Sequence, residues 1–162
     1  MSIPVIKEYA DEFQNETAEL ILAIQQHEYQ VAITKEEQPD LLNIKEFYQA
    51  GNGNFWVAVY EREVVGTISL LDIGSQQLAL RKMFVKKEFR GPIFQTASLL
   101  LNTALKWAKD KSISAIFLGT APQFKAAHRF YEKNGFISIK LEQLPASFPV
   151  LQVDKKFCTY LV

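Results

Sequence analysis

Leu80-Arg81-Lys82-Met83-Phe84-Val85-Lys86-Lys87-Glu88-Phe89-Arg90-Gly91-Pro92 is the stretch that decides how this chain reads. It begins as a strand and ends as a basic loop. Beyond it Phe94, Ala97, Leu101, Ala104, Leu105 and Ala108 recur at helical spacing, predicting one helix to about Lys111. A strand that enters a helix N-terminus through a short loop gathers free backbone N–H groups and the positive end of the helix dipole at one point. Lys86, Lys87 and Arg90 add charge there. The physical reading is a phosphate or pyrophosphate site, and the plain alternative is a solvated basic loop. Neither a Walker sequence nor G-x-G-x-x-G occurs at this join, so ATP and dinucleotide folds lose support.

Downstream, Ser114–Leu118 is short and continuously apolar, as a buried strand is. Strand, helix and strand make a βαβ unit, so this pair is expected to run parallel. Upstream, Phe55–Tyr60, Val64–Asp72 and Leu78–Val85 are joined by short turns and predict an antiparallel meander. Before them come a short strand at residues 3–7 and a helix over 10–29, with Phe13, Thr17, Leu20, Ile21 and Ile24 on one face. Gln30–Asn43 reads as a loop with a helical turn, and Ile44–Ala50 as a short helix stopped by Gly51-Asn52-Gly53-Asn54. Thr120-Ala121-Pro122-Gln123 opens the next helix, with Thr120 and Gln123 as a capping box. Asn134-Gly135 closes it with a left-handed cap. Strands near Phe136–Leu141 and Leu151–Leu161 follow. The fold class is mixed α/β, one sheet with helices on both faces.

The 162 residues, set against roughly 150 per domain, predict a single domain over 1–162. Hydrophobic residues at 48% and charged residues at 22% exclude a disordered or low-complexity chain. Eighteen basic and eighteen acidic side chains cancel, so no global field favours nucleic acid or an anionic membrane. The halves differ, however. Residues 1–50 hold three Lys against ten Asp and Glu, a net of −7, and the remainder carries +7. The one cysteine, Cys158, and the lack of a basic-then-apolar N-terminus point to a cytoplasmic protein. His27 and His128 lack companions at metal spacing, so no metal is expected. Cys158, Trp56 and Trp107 read as core.

A second feature is Ala126-Ala127-His128-Arg129-Phe130-Tyr131-Glu132-Lys133-Asn134-Gly135-Phe136. On a helix Phe124, Ala127 and Tyr131 share a face, which turns a phenol inward. Its hydroxyl then serves either a ligand or the backbone. In order and spacing the two features resemble the GNAT superfamily of N-acetyltransferases over roughly Phe55 to Phe136, and Phe130–Phe136 is a close match. The resemblance implies a central mixed sheet of six to seven strands, antiparallel in its first half, and acetyl-CoA as the acyl donor. It implies that strands Leu80–Val85 and Ser114–Leu118 splay, freeing backbone at Met83, Phe84 and Val85 for pantetheine. Arg90, Gly91, Phe94, Gln95, Thr96 and Ala97 would form the pyrophosphate loop. Ala127, Phe130 and Lys133 would belong to a second cofactor motif. Tyr131 would protonate the leaving thiolate, and the acceptor would be a small-molecule or peptide amine. Family members also often dimerise.

The sequence departs from the family pattern in three places. Gln95 stands at a glycine position, Phe124 replaces an asparagine that contacts pantetheine, and the cofactor strand offers Arg81 and Lys82 instead of a carboxylate. Candidate acceptor-side residues are therefore Asp72, read either as a cleft carboxylate or as a strand-end loop residue; Glu28 with Tyr29; and Arg81, which would suit an acceptor bearing a carboxylate. The competing functional reading is a non-catalytic acyl-CoA-binding module of the same fold. A third is an unrelated phosphate-binding α/β protein.

Overall fold

The computed structural model describes residues 2–162. Seven strands form one sheet in the order β1-β2-β3-β4-β5-β7-β6. They are β1 Val5–Glu8, β2 Asn54–Tyr60, β3 Glu63–Asp72, β4 Gln77–Val85, β5 Ala115–Thr120, β6 Ile137–Ile139 and β7 Lys156–Leu161. β1 to β4 are antiparallel neighbours, β4 and β5 are parallel, and β7 inserts antiparallel between β5 and β6.

Both faces of the sheet are covered, which is why β2 and β3 read as nearly unbroken apolar runs. Alternate residues of β2 go to opposite cores. Trp56 and Ala58 join Leu100, Leu101, Ala104 and Tyr131 on one side. Phe55 and Val57 join Ile21, Leu41, Ile44 and Tyr48 on the other. The first core lies under α3 (Thr96–Asp110) and α4 (Lys125–Lys133), the second under α1 (Gln14–Leu22) and α2 (Ile44–Tyr48). No helix among the described residues is long and apolar enough to cross a membrane.

Three local expectations need correction. The helix predicted over 10–29 is 3-10 at Asp11–Phe13, α through Leu22 and π-wound over Ala23–Glu28. The wide turn is closed by Tyr29 N–H donating to Ile24 C=O at 3.1 Å. Such turns insert a residue and redirect the side chains that follow. α3 starts at Thr96, two residues after Phe94, because Gln95 is left-handed with φ +54°. Phe94 instead packs on Tyr60 and Phe89. The Thr120–Gln123 capping box does not form, since Thr120 is still strand and α4 begins at Lys125 after Phe124. At the other end Gly135 is left-handed, φ +95°, as its place after the helix requires.

Candidate active site

β4 and β5 pair only where Gln77–Ala79 face Ala115–Phe117, and then separate. The cause is visible on β4. Lys82 is left-handed, φ +54°, and the register with β3 slips between Thr67 and Ser69. Two hydroxyls pin this bulge: Thr67 Oγ1 donates to Lys82 C=O at 2.7 Å and Ser69 Oγ to Arg81 C=O at 2.6 Å. Bulges bend a strand and re-aim its side chains. Here the bend opens the sheet. Past the bulge Lys86 N–H still reaches back to Val65 C=O at 2.8 Å. By strand alternation the N–H groups of Met83 and Val85 then face the open edge.

Two cavities occupy the opening. One, of about 110 Å³, has Arg81, Lys82, Gly119 and Asp154 in its walls. The other, of about 200 Å³, runs as an apolar groove past Ile24, Tyr29, Val85, Arg90, Ala97 and Phe130. Met83, Phe84, Phe124, Ala127 and Tyr131 line both. Ala127 and Tyr131 share the inward face of α4 as predicted, while Phe124 stands just before the helix; together they mark the point where the cavities meet. The Tyr131 hydroxyl has no hydrogen-bond partner among the described residues. Burial pushes its pKa well above the ordinary phenol value, with the Cys158 thiol adding to the shift. Phe124 spans the groove, its ring 4.8 Å from Tyr29 and 6.0 Å from Phe84, centroid to centroid.

At the mouth of the groove Gly91 (φ +94°) and Gln95 are both left-handed, and Gln95 N–H donates to Gly91 C=O at 3.2 Å. Thr96 Oγ1, the first hydroxyl of α3, is buried with no partner. Arg90 is engaged within the chain. Its guanidinium grips both carboxylate oxygens of Glu28, with Nη2 to Oε1 at 2.7 Å, and its Nε donates to Val85 C=O at 2.8 Å. This corrects two expectations. Arg90 braces the loop against the π turn and keeps few donors for a phosphate, and the Val85 carbonyl is already bonded. Tyr29 lines the groove, and Glu28, held by Arg90, lines neither cavity. The pair is charge-assisted, and it holds the Glu28 carboxyl below its usual pKa.

Other sequence candidates stand elsewhere. Asp72 accepts the N–H groups of Asn52 and Gly74, each at 2.8 Å, and lines neither cavity. It builds the turn at the paired end of β3, the plain reading. Lys133 is exposed on α4 and Phe94 lies in its aromatic cluster; neither lines a cavity. Lys86 pairs with Glu63. Arg81 is in the smaller cavity.

Sequence reasoning missed a buried polar cluster behind β4. Lys82, 7% exposed, donates to Gln38 and lies 3.7 Å from Asp40. Tyr48 donates to Asp40 at 2.5 Å, and Gln25 and Gln38 exchange amide bonds at 2.8 and 3.1 Å. Desolvation lowers the Lys82 pKa to about 8 against the opposing pull of Asp40. Asp154 was missed too. It is the single carboxylate among the residues of the smaller cavity, and desolvation raises its pKa. A methyl group at Gly119 would fall 2.7 Å from Asp154 Oδ2. A glycine inside an apolar strand marks such a close approach, and that was the available signal.

A parallel pair split by a bulge, with an apolar groove along the free edge and a helix N-terminus at its mouth, is the architecture of the acyl-CoA-dependent acetyltransferases. The acetyltransferase (GNAT) family profile matches residues 18–136, and the chain belongs to that family. An acetyltransferase of the GNAT family from Staphylococcus aureus Mu50 superposes with a TM-score of 0.94 at 38% identity, covering 98% of each chain. The PaiA N-acetyltransferase of Thermoplasma acidophilum, in complex with coenzyme A, shares the fold at a TM-score of 0.76 and 19% identity, covering 100% of each chain. An N-acetylaspartate synthetase of Danio rerio is 34% identical over 99 residues, which is 60% of this chain and 34% of that protein. The chain spans about half or less of the curated relatives it matches.

Proposed function

We propose that the protein transfers an acetyl group from acetyl-CoA to a primary amine by direct attack. The observation that carries this is the meeting of the two cavities at Tyr131, one apolar along the free edge of β4, the other with Arg81, Lys82 and Asp154 in its walls. The residues fit the donor. The groove offers backbone N–H at Met83 and Val85 along an open strand edge, beside an apolar wall of Ile24, Ala97 and Phe130. Bound there, acetyl-CoA supplies an acyl carbon activated as a thioester with a thiolate leaving group. Asp154, its pKa raised, takes a proton from the acceptor ammonium. The amine nitrogen bonds the acyl carbon as the C–S bond breaks; Tyr131 gives its proton to the sulfur, and the second proton shed by the nitrogen passes through solvent to the phenolate, which leaves a neutral amide and a free thiol. Backbone N–H on the open edge of β4 stabilises charge on the carbonyl oxygen. Holding both partners at one point supplies much of the rate.

The test is calorimetric titration with acetyl-CoA, followed by thiol release with a panel of amines. Saturable binding with release is expected. Binding without release from any amine would instead assign a non-catalytic acyl-CoA-binding module.

Gln95 yields a separate expectation. A left-handed backbone costs a non-glycine residue about 1 kcal/mol, and the side chain stands where the family has none. Gln95→Gly should tighten acetyl-CoA binding severalfold by titration. Weaker binding would mean that the Gln95 side chain contacts the ligand.

A further inference from the structure

The smaller cavity contains a charge pattern that acyl transfer alone does not require. The Arg81 guanidinium lies beside the rings of Phe47 and Tyr48, 5.6 and 5.9 Å from their centroids, and is 12% exposed. The nearest carboxylate oxygen, Asp40 Oδ2, is 4.0 Å away and already accepts from Tyr48. None of the Arg81 side-chain N–H groups donates to a described residue. A planar five-donor fork, held by stacking, making no hydrogen bond to a described residue and in the wall of a cavity, matches a carboxylate in geometry and charge. Lys82 adds a second cation on the same strand. On the β5 side Asp154 Oδ2 accepts Leu151 N–H at 3.1 Å, and Oδ1 has no partner among the described residues. The remaining walls are mainly apolar, with Leu80, Phe84, Leu118 and Phe148, and also carry Gln25 and Thr120.

We infer that the acceptor is a small free amino acid, its carboxylate received by Arg81 and its ammonium by Asp154. The chemistry performed on it rests on the acyl-transfer reading; its binding does not. A simple amine would leave the Arg81 fork desolvated without a hydrogen-bond acceptor, and a diamine would set a second cation against Arg81 and Lys82. A site built to bond a polar group discriminates strongly against analogues lacking it.

The experiment titrates the full chain, saturated with CoA, with the common amino acids and with their decarboxylated amines. At least one amino acid should bind tenfold or more tightly than its own amine. Arg81→Gln should erase that difference while the CoA dissociation constant stays at the wild-type value, which shows the fold intact. Asp154→Asn should weaken amino acid and amine together. The inference falls if no amino acid binds, if amines bind as tightly, or if the preference survives Arg81→Gln. Binding with the expected preference but no thiol release from acetyl-CoA supports the carboxylate site and overturns only the acyl-transfer reading.

Discussion

Tyr131→Phe should lower kcat by about 10²-fold or more, the usual worth of a positioned general acid, and leave the CoA dissociation constant within about twofold. The phenol ring packs in the main core beside Phe136, and phenylalanine keeps that packing. Only the hydroxyl is lost, and it supports nothing else among the described residues. Burial holds the phenol pKa above its ordinary value. The proton therefore stays on oxygen through neutral and mildly alkaline pH, ready for a departing thiolate. Steady-state kinetics with calorimetry check this. An equal loss of turnover and CoA affinity would make Tyr131 a binding residue, and unchanged turnover would remove it from the chemistry.

The second large effect is on stability. An unfolded lysine keeps its proton to about pH 10.4, while folded Lys82 keeps it only to about 8. Between those values the unfolded chain binds more protons, so this residue makes stability rise with pH there and level off above. At the pKa difference cited, the total is roughly 3 kcal/mol. Lys82 faces Gln38 and Asp40 from the loop before α2, with Arg81 and Asp154 as further charges. Lys82→Met removes the titrating group. The stability difference between wild type and variant, from urea unfolding at pH 7.5 and 10.5, should shift by about that amount in favour of wild type. A difference that does not move with pH would mean that Lys82 holds its proton as an ordinary lysine does.

Much of this could be read before folding. The apolar segments joined by short turns over Phe55–Val85, the helical period from Ala97 to Ala108 and the Asn134-Gly135 stop all became the elements they predict. Ala127 and Tyr131 turn inward on α4 as their spacing predicts, whereas Phe124 falls just before the helix. These are short-range properties: each depends on spacing within one element and on a solvent that excludes apolar side chains. The errors lie where a distant partner overrides local preference. Arg90 reads as a free cation in a basic loop, yet its partner Glu28 is 62 residues away. Asp72 reads equally as cleft or turn until Asn52 and Gly74 are seen to bind it.

By itself the sequence determined the mixed sheet, the βαβ unit with its loop, and the resemblance carried by Phe130–Phe136. The tertiary structure alone decided which charges meet. Lys82 is brought inward by a bulge that two hydroxyls on another strand hold in place. Asp154 reaches the opening because Gly119, 35 positions earlier, leaves room for it. Arg81 stays 4.0 Å from Asp40 without a hydrogen bond, because that oxygen already accepts from Tyr48 and lies closer to Lys82. Periodicity carries no record of such pairings, because an ion pair or a buried hydrogen bond depends on distance in space and on desolvation, and both are properties of the packed chain.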